Sequence, residues 1–215
     1  MSFPEAILDL LYPPKCPFCG KLLEKGQLLC PECQNGLPWL TGTVGERKIE
    51  LTGGCVSVAE YDERVKKGVH AFKFHGRSAR SVAFGLLIAQ CVKDHDLTAD
   101  LVSWPPLSKK RLRERGYDQA RLLAEKVGKE LGLPVVRTLQ KEHRPAQSGL
   151  DGREARRTNL LGAYTAVDAE AFRDKRVLLV DDVLTTGATL SECARTLRLA
   201  GAEAVVCTTL ARAEK

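Results

Sequence analysis

One short segment constrains the fold of this chain more than any other, the stretch 176–190 with the sequence RVLLVDDVLTTGATL. Its residues Val177–Val180 are all β-branched or leucine, a run long enough for a buried strand and too short for a helix. The apolar residues that follow recur at i, i+3, i+4 and i+7, which predicts a helix, and Gly201 supplies a stop signal. The segment therefore predicts a strand, a turn and a helix, a unit typical of α/β folds.

The residues between the predicted strand and helix have the chemistry of a ligand site. Asp181 and Asp182 lie at the carboxyl end of the strand, where open α/β sheets place their ligands. The turn Thr185–Thr189 has no bulky side chain, and the unpaired N–H groups of a helix's first turn favour a phosphate. Because carboxylates can accept hydrogen bonds from vicinal hydroxyls, the pattern predicts a pentose 5-phosphate. The alternative is an ordinary Rossmann-like turn with a chance acid pair; a Walker-type P-loop is excluded, since Gly-Lys-Ser/Thr is missing.

This order of residues resembles the ligand motif of the type I phosphoribosyltransferases, which bind phosphoribosyl pyrophosphate (PRPP). The resemblance implies an α/β fold with a mostly parallel sheet of that kind. It implies that Asp181 and Asp182 hold the ribose 2- and 3-hydroxyls and have catalytic roles. It also implies that the 5-phosphate is bound by the turn, residues Thr185, Thr186, Gly187, Ala188 and Thr189. Mg2+ would accompany PRPP, bridging its ribose hydroxyls and pyrophosphate oxygens.

Further motifs over most of the chain are similar to those of the competence protein F (ComF) family of phosphoribosyltransferase-like proteins. They include Lys73-Phe74-His75-Gly76, PPLSKKRLRERGYDQ at 105–119 and Arg144-Pro145. The chain departs from the family pattern twice: 103–107 is SWPPL where VPVPL is usual, and 115–119 is RGYDQ where RGFNQ is usual. The first departure bears on the floor of a pyrophosphate pocket, and the second places an acid where an amide is expected.

Four cysteines near the N-terminus predict a metal site. Cys16 and Cys19 form one CPxC turn, and after ten residues Cys30 and Cys33 form another. Two such turns are typical of a tetrahedral Zn(Cys)4 site with a structural role, in a compact ribbon or knuckle. Disulfides are the alternative, but they favour small, secreted, cysteine-dense chains. A thioredoxin-like dithiol would need only one CxxC.

The remaining patterns divide the chain into three parts. We expect a zinc-binding module over residues 1–40, with a short helix over 4–12, and a glycine-rich linker or exposed turn over 41–54. A phosphoribosyltransferase-like domain over 55–215 would follow. There, strands predicted at Val56–Tyr61, Asp100–Trp104 and Ala204–Leu210 alternate with helices at Ala79–Val92 and Asp118–Leu131, which favours a mostly parallel sheet.

Charge and hydropathy limit the function classes. The formal net charge is +6, and most of the excess lies in the segments 109–121 and 137–157. Such a charge suits a phosphate-rich ligand or nucleic acid, although many basic proteins bind neither. No stretch approaches the roughly 20 apolar residues of a membrane span, and the N-terminus does not have the pattern of a signal peptide. We therefore expect a cytoplasmic protein.

Two basic segments are candidates for binding the pyrophosphate. The family places its pyrophosphate loop after the second strand, which here implies Leu107, Ser108, Lys109, Lys110 and Arg111, and the resemblance adds Lys73. The alternative for the loop is a solvated basic helix start. The segment Lys141–Asn159 is longer than most loops of compact domains and suits a lid, with Arg144 as a catalytic cation; the alternative is a basic surface loop.

Two functions follow from these patterns. The first is a PRPP-binding protein of competence type, involved in DNA uptake during natural transformation, which transfers phosphoribose with release of pyrophosphate. The second is a non-catalytic PRPP sensor or a single-stranded-DNA-binding accessory protein, with the DNA-uptake helicase or other competence proteins as partners. Few aromatic residues are available to stack on bases: Phe18, Trp39 and Tyr117. No segment is recognisable as the site of an acceptor.

The loop arginines separate these functions. If the loop is a catalytic lid, Arg144→Ala and Arg153→Ala should slow pyrophosphate release from PRPP far more than they weaken PRPP binding, because the contact is made mainly in the transition state. If the loop binds DNA, the same substitutions should lower oligonucleotide affinity and flatten its salt dependence by about one unit per lost phosphate contact. Both readouts are measured on the same variants; a change in neither would make the loop a surface feature.

Overall fold

The computed structural model describes residues 13–74, 77–142 and 160–214. The helix predicted over 4–12 and the loop arginines Arg144, Arg153 and Arg156 lie outside the described residues. Among the residues that are described, no helix combines the length and apolar character that a membrane crossing requires.

A five-stranded sheet forms the centre of the molecule, in the order β1-β2-β7-β6-β3. The pairs β2–β7, β7–β6 and β6–β3 are parallel, and only β1 is antiparallel to its neighbour, which confirms the predicted mostly parallel sheet. A separate antiparallel pair is formed by β4 and β5. The strands are β1 Glu46–Arg47, β2 Cys55–Glu60, β3 Leu101–Ser103, β4 Leu139–Lys141, β5 Tyr164–Ala166, β6 Arg176–Leu184 and β7 Ala204–Arg212.

Six α-helices surround the strands in the described part of the chain. They are α1 Pro31–Gly36, α2 Glu63–Phe74, α3 Arg77–Asp94, α4 Lys109–Arg115, α5 Gln119–Leu131 and α6 Ala188–Leu199, with short 3-10 turns at Gly42–Gly45 and Ala169–Ala171. The predicted bounds of α5 are accurate because its ends are capped. The Asp118 side chain accepts a hydrogen bond from the N–H of Arg121, and Gly132 ends the helix at a φ of 68°.

Strand β6 separates two apolar cores. Leu178 and Val180 belong to the core that also holds Phe72, Phe84 and Leu123, whereas Val177 and Leu179 belong to the core with Leu190 and Leu197. Side chains of a strand alternate between its two faces, and both faces of β6 are covered by helices. This explains why the run Val177–Val180 is apolar throughout: all four residues are fully buried.

β6 is longer than the predicted run of four residues, because β7 continues to pair with it as far as Leu184, opposite Arg212. On its other side, β3 pairs only up to Ser103, opposite Leu179. The residues after Leu179 therefore extend past the end of β3, and the acid pair lies on this extension. A crevice at the carboxyl ends of parallel strands is where α/β sheets bind their ligands.

The segment 41–54 differs from the expected linker or exposed turn. Glu46 and Arg47 pair with Val56 and Cys55 as strand β1, and the Ile49 side chain is buried in the core that contains α6. A single isoleucine inside a glycine-rich stretch gave no periodicity from which to predict this packing. The segment thus covers the turn that follows β6.

The four-cysteine segment packs into the main core rather than apart from it. Cys16, Phe18, Cys30 and Cys33 belong to the same cluster of buried residues as Phe84. The chain then runs along β2, where the N–H of Leu40 donates to the carbonyl of Val58 and the N–H of Glu60 donates to that of Pro38, both at 2.9 Å. The division of the chain at residues 40 and 54 stays a prediction.

Candidate functional site

The acid pair lies where β6 extends past β3, and its two carboxylates have different surroundings. Lys73, in the last turn of α2, places its Nζ 2.9 Å from Oδ2 of Asp182. The two side chains are only 21% and 14% exposed, so this ion pair is largely shielded from water. The family resemblance implied a pyrophosphate contact for Lys73; in the structure its ammonium pairs with Asp182.

Asp181 belongs to the opposite face of the sheet, because neighbouring residues of a strand alternate. The backbone N–H of Asp182 donates to Oδ1 of Asp181 at 2.8 Å. Burial and the adjacent charge of Asp182 raise the pKa of Asp181 to about 7, although this hydrogen bond and the charge of Lys73 oppose the rise. A carboxyl group of this kind changes its charge near neutral pH.

The turn after β6 is the candidate phosphate-binding turn. Gly187 has a φ of 81° and precedes the first residue of α6, and Thr185 and Thr186 are exposed. A Cβ on Gly187 would lie 3.5 Å from the Ile49 side chain, so the left-handed backbone conformation is the main reason for glycine there. A cavity of about 650 Å³ opens at this turn, lined also by Lys48, Ser191 and Arg195.

Arg47 was missed by sequence analysis. Its guanidinium donates to the carbonyl of Thr185 at 3.2 Å and to that of Ala213 at 3.4 Å, and so ties the turn to the C-terminal end of β7. Arg47 lies in the segment predicted to be a linker, and no motif surrounds it. Only the pairing of β1 with β2 brings it to the turn.

The candidate pyrophosphate segment is partly engaged within the protein. The N–H of Leu107 donates to Oδ2 of Asp118 at 3.0 Å, so it is not directed to a ligand. Ser108 caps α4 by accepting from the N–H of Arg111. The side chains of Lys109, Lys110 and Arg111 are exposed. Of the residues predicted here, these cations therefore remain the candidates for an anion.

The RGYDQ segment supports both α2 and the candidate pyrophosphate segment. The Tyr117 hydroxyl donates to the carbonyl of Phe72, and the Gln119 amide donates to that of Lys73 at 3.4 Å. Asp118 accepts from Leu107 and also caps α5; burial raises its pKa despite these hydrogen bonds. The acid that departs from the family pattern thus has a structural role in this chain.

The other departure, SWPPL, is buried. The hydroxyls of Ser103 and Thr138 lie 2.7 Å apart, and the Trp104 side chain packs in the core beside α5. Ser103 is therefore a satisfied polar residue at the end of β3.

A second missed group lies on the Asp181 face of the sheet. The Lys141 ammonium donates to the Tyr164 hydroxyl at 2.8 Å and lies 4.7 Å from the centre of that ring. Burial lowers the pKa of Lys141, while the nearby Asp181 carboxylate opposes that change. Lys141 was predicted only as the start of the long loop. Its proximity to Asp181 depends on how the β4–β5 pair packs against α6, and no local pattern encodes that.

The four N-terminal cysteines meet at one point. Their sulfur atoms all lie within 4.8 Å of one another, and the sulfurs of Cys19 and Cys30 are 3.5 Å apart. Sulfurs around a tetrahedral Zn2+ with bonds of about 2.3 Å lie about 3.8 Å apart, so the arrangement fits this metal. Burial raises the pKa of Cys30 and Cys33. In Cys16, backbone N–H groups outweigh burial and lower the pKa to about 7.

Tight turns bring these cysteines together. The N–H of Gly20 donates to the carbonyl of Cys16 at 2.9 Å, and Gly20 has a φ of 79°. The N–H of Cys33 donates to the carbonyl of Cys30 at 3.0 Å at the start of α1. Four thiolates fill a tetrahedral coordination sphere, which leaves no position for a substrate.

Fold and site together define a phosphoribosyltransferase-like protein with a zinc ribbon. The family model of the phosphoribosyl transferase domain matches residues 118–215, and that of the double zinc ribbon domain matches residues 7–47. The latter range contains the four cysteines of a single Zn(Cys)4 set.

Three curated relatives agree with this class. The chain is 32% identical over 209 residues to competence protein F of Haemophilus influenzae, covering 93% of this chain and 85% of the relative. It is 30% identical to competence protein ComFC of Bacillus subtilis, covering 89% and 74%. It is 29% identical to DNA utilization protein YhgH of Escherichia coli K12, covering 88% and 80%. The chain belongs to the competence protein F family.

The cysteine geometry predicts one Zn2+ per chain. Cys30→Ser should lose the metal and lower the free energy of unfolding, because zinc binding in such modules also contributes to folding. Metal analysis and urea unfolding of unchelated protein measure both effects. Cys91→Ser is the matched control: Cys91 is also buried but lies outside the cluster, so this variant should keep its zinc. Substantially less than one zinc in the unsubstituted protein would contradict the assignment.

The pKa of Asp181 predicts how stability depends on pH. Its folded value of about 7 lies above the ordinary value of 3.8, so the folded state holds this proton more tightly than the unfolded state. Between these values stability falls as pH rises, and the full cost is present above pH 7. Asp181→Asn removes the cost and should raise the free energy of unfolding at pH 8 by roughly 1–3 kcal/mol.

Urea unfolding at several pH values between 5 and 8 measures this difference, which should shrink as pH falls. Asp174→Asn is the control, because it makes the same change on an exposed turn and should not be stabilised at pH 8. If the free energy of unfolding of Asp181→Asn exceeds that of the unsubstituted protein by the same amount at every pH between 5 and 8, the titration of Asp181 is not the source of the difference.

Proposed function

We propose that this chain binds PRPP at the acid pair and the turn after β6, and transfers phosphoribose with release of pyrophosphate. One observation carries the proposal. Two adjacent, half-buried carboxylates lie on the extension of β6 beyond β3, directly before an open turn and the N-terminus of a twelve-residue helix. Acceptors for sugar hydroxyls and a turn that suits a phosphate thereby follow each other on one strand–turn–helix unit.

The carboxylates of Asp181 and Asp182 would accept hydrogen bonds from the ribose 2- and 3-hydroxyls. Lys73 supports this role because its ammonium fixes the orientation of the Asp182 carboxylate. The 5-phosphate would lie against Thr185–Thr189, where the first turn of α6 and the helix dipole favour an anion. In the structure the N–H of Ala188 donates to Oγ1 of Thr186 at 3.4 Å, so a phosphate would compete with that contact. Arg47 holds the carbonyl of Thr185 and so stiffens the cup.

In the transfer, the bond between the anomeric carbon and a pyrophosphate oxygen breaks, and its electron pair leaves with pyrophosphate. The lone pair of an acceptor forms the new bond to that carbon. Asp181, when ionised, would stabilise the positive charge that develops on the ribose ring. Mg2+ would arrive with PRPP and offset the charge of the leaving group. Lys109, Lys110 and Arg111 are the described cations proposed for pyrophosphate; Arg144 is proposed from sequence alone.

A second candidate function is a non-catalytic PRPP sensor or a single-stranded-DNA-binding accessory protein. The observation that favours it is α4, which has no buried residue and exposes Lys109, Lys110, Arg111 and Arg113. Exposed cations of this kind suit a phosphate backbone. The names of the relatives add competence and DNA utilization as the context. In this setting the chain would act in the cytoplasm beside a DNA-uptake helicase or other competence proteins.

The acid pair provides the test of PRPP binding. Converting both Asp181 and Asp182 to Asn keeps their volume but removes two anionic acceptors, each worth roughly 1.5–3 kcal/mol as a charge-assisted hydrogen bond. PRPP affinity in the presence of Mg2+ should fall by at least about a hundredfold in isothermal titration calorimetry. Asp174→Asn makes the same change on an exposed turn and should leave the affinity unchanged.

Equal affinity in the double variant and the unsubstituted protein would mean that the acid pair is only architectural. Titration with an oligonucleotide, with and without PRPP, separates the two functions. Competition between the two ligands would place both on one surface, whereas independent binding would assign the DNA to another face.

A further inference from the structure

Helix α2 lies between the acid pair and the first cysteine turn, Cys16–Gly20, which we call the zinc-binding turn. Gly68, near the middle of α2, is buried against the first cysteine turn. A Cβ added there would lie 2.9 Å from Cδ1 of Phe18, 3.0 Å from its Cα and 3.1 Å from the carbonyl oxygen of Pro17. Two of these three atoms are backbone, which cannot rotate away. The turn therefore fits against α2 only because residue 68 has no side chain.

Aromatic contacts continue from the zinc-binding turn towards the site. The Phe18 ring lies 5.1 Å from that of Phe84, which lies 5.6 Å from that of Phe72. Phe72 is fully buried and directly precedes Lys73. The Arg80 guanidinium donates to the carbonyl of Pro17 at 3.2 Å, so α3 holds the same turn. Since close-packed side chains transmit displacements, a shift of the turn reaches the end of α2.

The other end of α2 is fixed independently. Tyr117 and Gln119 donate to the carbonyls of Phe72 and Lys73, and the Lys73 ammonium reaches Asp182 from this last turn. Gly68 and Lys73 are five residues apart, about 7.5 Å along a helix. The helix thus has one anchor at the zinc-binding turn and one at RGYDQ, and the position of Lys73 depends on both.

We propose that the zinc-binding turn is a positioning element of the acid pair: with zinc bound to the four cysteines, Pro17 and Phe18 hold Gly68, and α2 then presents Lys73 to Asp182. The role of this pair in PRPP binding rests on the proposed function, but the positioning itself does not. The cysteine site thus does more than stabilise the fold. Zinc binding there sets how closely the Lys73 ammonium approaches the acid pair on β6.

The pKa of Asp181 depends on this charge balance, and it can be measured without any ligand. Among the described residues, the charged or titratable groups close enough to influence Asp181 are Asp182 on its own strand, Lys73 on α2, Asp118 before α5, Lys141 and Tyr164 of the β4–β5 pair, Cys193 on α6, Cys55 on β2 and Cys207 on β7. Of these groups, only Lys73 belongs to α2. Moving Lys73 away removes an attraction for the anionic form, so the titration midpoint of Asp181 should rise.

The test is a pH titration of the full, zinc-loaded chain by NMR, with 13C at the aspartate carboxyl carbons and the Asp181 signal assigned from Asp181→Asn. Gly68→Ala should move the midpoint of Asp181 upward, in the same direction as Lys73→Met. Gly128→Ala is the matched control. A Cβ there would lie 2.3 Å from Val135, an even closer contact than the 2.9 Å at Gly68, but Gly128 lies at the other end of α5 from RGYDQ. This variant should leave the midpoint unchanged.

Two further measurements do not depend on one variant folding. Phe18→Leu keeps an apolar side chain but removes the ring contact with Phe84, and it should also raise the midpoint. Removal of zinc by a chelator should raise it reversibly, with recovery when Zn2+ is added back. An unchanged midpoint in Gly68→Ala, or in Phe18→Leu where the first does not fold, would overturn the proposal.

Calorimetry with PRPP and Mg2+ on the same variants keeps this inference distinct from the proposed function. Gly68→Ala should lower PRPP affinity by about tenfold, the effect of one charge-assisted contact, whereas Gly128→Ala should not. If the unsubstituted protein does not bind PRPP while the midpoints shift as expected, the proposed function fails and the positioning role stands. If PRPP binds and the midpoints do not shift, the positioning role fails alone.

Discussion

The structure depends on the pairing of β6 with β7 beyond the point where β3 ends. Val177–Val180 is buried on both faces of the sheet, which fixes the register of the strand and the face to which each later residue belongs. The same pairing carries the strand on to Leu184, and within the described ranges no strand pairs with the other edge of β6 beyond Leu179. The backbone of the acid pair is therefore held along one edge by β7. A loop of the same sequence would present these carboxylates with far less order.

Alternation along this strand gives two adjacent aspartates different electrostatic roles. The Asp182 carboxylate pairs with the Lys73 ammonium at 2.9 Å. The pKa of Asp181 is instead raised mainly by burial and by the like charge of Asp182. The environment of Asp181 makes its ionisation costly for folding above neutral pH. A residue that opposes stability in this way is typical of a functional site, where perturbed pKa values are concentrated.

The zinc ribbon and the phosphoribosyltransferase-like domain share one core rather than meeting at a hinge. The cysteine turns pack on α2 and α3, and the chain after them hydrogen-bonds along β2. RGYDQ adds a second support, since its tyrosine and glutamine reach the end of α2 and its aspartate reaches the candidate pyrophosphate segment. These contacts make α2 a rigid connection between a metal site and an acid pair that are separate in the sequence.

The sequence by itself determined the local elements: the strand–turn–helix around the acid pair, the caps of α5 and the two cysteine turns. Each depends on neighbouring residues, through the periods of strand and helix or the spacing of ligands. The mostly parallel sheet also followed, because strands and helices alternate. Tertiary structure alone decided the length of β6, the pairing of β1 and the neighbours of each carboxylate. Lys73 reaches Asp182, Lys141 reaches Tyr164 and Arg47 reaches Thr185 only after strands and helices far apart in the chain have packed. Such contacts depend on the register and packing of whole elements, which no short stretch of sequence encodes.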